Sequence, residues 1–250
     1  MNFAPVGIRC PDHANIGAVK PSPARTIQNV RRTTRSVAAP ATMVLIAINV
    51  IIYVITVSQG GGIDAPGGNL YLDWALYGYG VAAGEWWRLG TSMFLHGGIL
   101  HLAFNMFALY WLGTIVERAL GTPKFLLIYA VSGLAGSAGA LWFSSVGTFT
   151  VGASGAIFGL IGAYLVLEYL ATGSLAGQAM GLLVFSLILS FRPGISIGGH
   201  LGGLVGGVLA TYVLLHFQHR SPRFLGVALA VGVGVASIAL AYSRVRGYGV

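Results

Sequence analysis

Four residues from three distant stretches of the chain carry side chains suited to acyl chemistry: Ser154, His200, His101 and Asn105. A serine hydroxyl attacks a carbonyl only when a base takes its proton. An imidazole is the side chain best matched to that task near neutral pH. Acyl transfer also needs donors where the oxyanion develops, and one such donor is typically worth about 10²–10³ in rate. Ser154 opens an apolar run in "TVGASGAIFGLIGAYL" (150–165), which places its amide among the unpaired N–H groups of a helix N-terminus. His101 and Asn105 are four apart and share a helix face. Each also has a plainer reading. Ser154 suits packing between helices, His200 an interhelical hydrogen bond, and the His101–Asn105 pair a structural polar contact.

The elements that must position these groups follow from composition. The chain has 250 residues, 56% of them hydrophobic and only 8% charged. A soluble domain carries about 25% charged residues, so this chain is expected to be an all-α, polytopic membrane bundle. Seven apolar segments approach the roughly 20 residues a helix needs to span a bilayer: 41–58, 98–119, 123–144, 153–171, 177–191, 199–217 and 223–242. The fifth is short. Residues 1–40 form a polar, basic tail unlike a cleaved signal peptide. Residues 41–217 form a six-helix core, and 218–250 carry an extra C-terminal helix. Residues 59–97, rich in Gly, Tyr and Trp, form a first loop expected at the membrane interface.

With the N-terminus inside, ten basic residues fall on the inner side and four (Arg88, Arg192, Arg244 and Arg246) on the outer, which favours that orientation. The net charge of +8 then suits anionic lipid rather than nucleic acid. Segments two, four and six share one direction. Their early polar residues (His96, His101 and Asn105; Ser154; His200) should lie within about 5–15 Å of the outer boundary. Gly199, Gly203 and Gly207 repeat every four residues, as do Gly155, Gly159 and Ala163. Such rows let two backbones approach closely, which would bring Ser154 within reach of His200.

"FLHGGILHLAFNMFAL" (94–109), "GASGAIFGL" (152–160) and "GGHLGG" (198–203) resemble, in order, the signature segments of the rhomboid family of intramembrane serine proteases. "GEWWRLGTSMFLHG" (84–97) resembles the end of that family's first loop, and "VERALG" (116–121) the exit of its second helix. The resemblance covers about residues 41–217. It implies a Ser154–His200 dyad, with His101 and Asn105 completing the oxyanion site. It matches Gly152 to the serine motif's first glycine and Phe158 to a ring packed on the histidine. Trp87 and Arg88 match a structural loop motif, which agrees with an aromatic and cationic interface anchor. The six acidic residues (Asp12, Asp64, Asp73, Glu85, Glu117 and Glu168) all read as remote from the outer ends of the spans, as a dyad requires. Transmembrane proteins cut near the outer face are the implied substrates, the lipid bilayer is the setting, and no cofactor is implied. A bacterial plasma membrane, with the N-terminus cytoplasmic, is the expected location.

The rivals are weaker. A transporter predicts internal repeats, and none is visible. A metalloprotease calls for His-Glu-x-x-His, which is absent from the sequence. Cys10 and His13 are spaced like two metal ligands, but a structural zinc needs about four, and Cys10 is the single cysteine. A catalytically inactive, client-binding relative is the alternative within the family, although this chain keeps both Ser154 and His200.

Overall fold

The computed structural model describes residues 2–4, 7–9, 39–218, 222 and 224–248. Two compact units divide the chain, Met1–Ser36 and Val37–Val250. In the first, Asn2–Ala4 pairs antiparallel with Gly7–Arg9. Cys10 and His13 lie outside the described residues.

The second unit is a helical bundle. Its long helices are α1 (Pro40–Gln59), α2 (Ile99–Leu120), α3 (Thr122–Phe143), α4 (Ser154–Thr172), α6 (Ile197–His216) and α7 (Leu225–Val245), and all six are long and apolar enough to cross a membrane. Between α4 and α6 lies α5, Gln178–Ser190, with only 13 residues. At 1.5 Å per residue it rises about 20 Å, short of a roughly 30 Å hydrocarbon layer. The chain is an integral, multi-pass membrane protein. Large apolar side chains such as Ile51, Phe104, Phe107, Phe185 and Val235 stay exposed on the outer surfaces of the bundle, as hydrocarbon surroundings permit.

Glycine sets the packing. α4 touches α2, α3, α5 and α6. A Cβ on Gly203 would strike the Gly155 carbonyl, and one on Gly207 would strike the Gly159 backbone. α6 therefore lies on α4 along the row read from the sequence. A second row was not anticipated. Gly198 and Gly202 lie against Gly139 and Ala135 of α3, and Gly206 against Ala135. The paired glycines 202/203 and 206/207 thus serve two neighbours at once, one from each member of the pair, while Gly199 lies against Gly136 of α3.

Glu117 joins the first three helices. Its buried carboxylate accepts from the Ala41 and Thr42 amides at 3.0 and 2.8 Å, and from the Thr42 and Thr122 hydroxyls, both at 2.7 Å. An anion is well placed at the positive N-terminus of α1. α2 includes one wider π turn, Leu109–Gly113, where Gly113 admits the Thr42 side chain.

Residues 59–97 fold into short helices, Gly68–Trp74, Gly78–Ala82 and Arg88–Thr91. The interface-anchor reading suits Trp87, which is exposed, but not Arg88. Arg88 is turned inward, paired with Glu85 at 2.6 Å, and donates from Nη1 to the Leu72 and Ala75 carbonyls at 2.5 and 2.8 Å. Those carbonyls lie in the last turn of the Gly68–Trp74 helix and at its C-cap, where such groups lack helical partners. A guanidinium meets that need better than exposure would.

Candidate active site

Three helix beginnings meet at one end of the bundle. α4 starts at Ser154 itself. Ahead of it, Thr150 and Leu76 exchange backbone hydrogen bonds of 2.9 and 3.0 Å, and the Gly152 amide donates to the Ser92 carbonyl at 3.0 Å. The first loop therefore fixes the approach to the serine. Gly152 has φ +130°, a region that side chains avoid. α6 starts at Ile197, capped by the Ser196 hydroxyl, which accepts from the Gly199 amide at 3.1 Å. That cap puts His200 in the first turn.

The glycine contact between α4 and α6 brings the two side chains together. Ser154 Oγ and His200 Nε2 are 2.8 Å apart. Phe158, one turn along α4, stacks on the imidazole with ring centroids 4.1 Å apart and planes at 14°. The other ring nitrogen, Nδ1, lies 2.6 Å from Ser190 Oγ at the end of α5. Short as it is, α5 delivers the chain to the same end of the bundle. Sequence reading missed Ser190, since one serine in an apolar helix carries no signal beyond its closeness to His200 in the chain.

His101 and Asn105 of α2 lie beside Gly152, two residues before the serine. A Cβ placed on Gly152 would lie 2.7 Å from His101 Nε2 and 3.7 Å from Asn105 Nδ2. Asn105 is buried, and its Nδ2 has no hydrogen-bond partner among the described residues. His101 Nδ1 accepts from the Gly97 amide at 3.3 Å, so Nε2 is the nitrogen turned toward Gly152. The His96 ring, ahead of α2, packs edge-on against His101 at 5.1 Å. Burial first, and the charge His101 can carry second, push its pKa down to about 3 against the Phe94 backbone's opposing effect. His96 is therefore neutral at physiological pH.

One sequence expectation needs correcting. Asp64 is not remote from the ends of the spans. Its carboxylate lies 4.0 Å from the position of a Cβ on Gly98, beside the start of α2. The fold of the loop, which brings residue 64 back to residue 98, was not readable from spacing.

The rhomboid domain model matches residues 83–217. The Bacillus subtilis (strain 168) rhomboid YdcA is 41% identical over 150 residues, covering 58% of this chain and 75% of that protein. Rhomboid protease GluP of the same organism is 37% identical over 179 residues, 69% of this chain but 34% of GluP. Rhomboid protease AarA of Providencia stuartii is 29% identical over 207 residues, 72% of this chain and 74% of AarA. The chain thus spans about a third of GluP and about three quarters of the other two.

Proposed function

The chain belongs to the rhomboid family of serine proteases, and we propose that Ser154 is its nucleophile and His200 its general base, cutting transmembrane segments near the outer membrane face. The observation that carries this reading is the 2.8 Å approach of Ser154 Oγ to His200 Nε2. A substrate segment presents an extended peptide to the serine. His200 takes the hydroxyl proton as Oγ bonds to the carbonyl carbon. The Ser154 amide, His101 and Asn105 donate to the resulting oxyanion, a role supported by the unpartnered Nδ2 of Asn105. The C–N bond breaks as His200 passes its proton to the leaving amine. Water then attacks the acyl-enzyme by the same route and frees Ser154. The chemistry needs no cofactor.

Rhomboid proteases act on membrane proteins within the bilayer. For this chain we place the N-terminus in the cytoplasm, on the ten-to-four division of basic residues, and the protein in a bacterial plasma membrane. The core is residues 41–217, preceded by the basic tail 1–40 and followed by the appended helix of 218–250. A fluorophosphonate probe applied to membranes tests the reading. Wild-type protein should be labelled and His200→Ala should not. Equal labelling of the two would remove His200 as the base.

A further inference from the structure

The oxygen of Ser190 is in contact with two groups, and its hydroxyl has one proton. The Ser186 carbonyl, 2.8 Å away, can only accept. His200 Nδ1 is 2.6 Å away. Both contacts are hydrogen bonds under a single assignment: the Ser190 hydroxyl donates to Ser186, and Nδ1–H donates to Ser190 Oγ. The proton is then on Nδ1. Nε2 keeps its lone pair and faces Ser154 Oγ at 2.8 Å, as a base must.

We propose that Ser190 is a positioning residue that selects the Nδ1–H tautomer of His200 and supplies the acceptor for Nδ1–H throughout the reaction. The proposal rests on the reading of Ser154 and His200 as nucleophile and base. The partner of one imidazole nitrogen decides which nitrogen carries the proton. Phe158 cannot make that choice, because a stacked ring fixes the plane of the imidazole and not its rotation within that plane. Ser190 is 2% exposed, so a neutral hydroxyl serves where a lone carboxylate would be costly to bury. The proton balance is simple. Ser154 gives its proton to Nε2 and His200 passes it to the leaving amine, while Ser190 neither gains nor loses one. It holds the ring while Nε2 works.

The test uses the full chain in liposomes with a single-span reporter. Removing one neutral hydrogen bond to the base should lower kcat of Ser190→Ala by about threefold to tenfold. KM should stay unchanged, and fluorophosphonate labelling should slow by the same factor. Ser190→Thr keeps the hydroxyl and should stay within about twofold of wild type on the same grounds. If Ser190→Ala does not accumulate in membranes, Ser190→Cys, whose sulfur is a weak acceptor, replaces it with the same expectation. Wild-type kcat and labelling in Ser190→Ala would overturn the proposal. So would an equal loss in Ser190→Thr, which would make packing the cause. Ser154→Ala, run alongside, separates the two claims. An inactive Ser154→Ala beside an unaffected Ser190→Ala removes only the positioning role, whereas an active Ser154→Ala removes the nucleophile.

Discussion

Gly203 lies so close to Gly155 that a single added methyl would overlap the Gly155 carbonyl. This contact joins the helix that bears His200 to the helix that bears Ser154. Gly203→Ala should push α6 off α4, lower stability by about 1–3 kcal/mol and abolish reporter cleavage. Gly181→Ala in α5 has open space around it and should leave both unchanged. Thermal unfolding in detergent and a cleavage gel read the two effects.

Gly152 needs its missing side chain twice, for its φ of +130° and for the 2.7 Å approach of His101 Nε2 to the Cβ position. Gly152→Ala strains the turn by about 1–3 kcal/mol and displaces His101. Cleavage should fall at least about tenfold, since each 1.4 kcal/mol lost in the transition state is a factor of ten. Folding should be retained, as judged by size-exclusion elution and the melting curve.

Asn105→Ala removes the buried donor beside Gly152. If it serves the oxyanion, kcat should drop by about 10²-fold with KM little changed, and His101→Ala should act in the same direction. Steady-state kinetics on a reporter in liposomes measures both. A rise in KM alone would assign these residues to substrate binding.

Arg88 acts on the fold rather than the chemistry. Arg88→Ala leaves the Leu72 and Ala75 carbonyls without the Arg88 donor, and the buried one, at Ala75, costs about 1–3 kcal/mol if left unsatisfied. The variant should melt earlier and be cut faster by added protease within residues 68–97. Arg88→Lys should recover little, because an ammonium cannot reach both carbonyls and Glu85 with one planar fork.

Much of the candidate site was legible because its parts announce themselves in hydrocarbon. His101, Asn105 and His200 are polar in spans that are otherwise apolar, and the spacing of Gly199, Gly203 and Gly207 named the surface that brings His200 to Ser154. The other half of that packing was hidden. Gly198, Gly202 and Gly206 have the same spacing, but nothing in the spacing says that α3 receives them. Arg88 matched a structural loop motif by resemblance, but its plainer reading as an interfacial cation missed the inward turn, because sequence cannot show that the loop folds around it. Asp64 read as remote for the same reason. Ser190 gave no pattern at all, since its meaning comes from one contact across the α5–α6 turn.

The approach of Ser154 to His200 is tested most directly by one gel. Wild type and Ser154→Ala are reconstituted separately with a single-span reporter, and the cleaved fraction is followed with time. Cleavage by wild type with none by a Ser154→Ala variant that is still folded and inserted in the membrane is the predicted result. Cleavage at the wild-type rate by Ser154→Ala would contradict it.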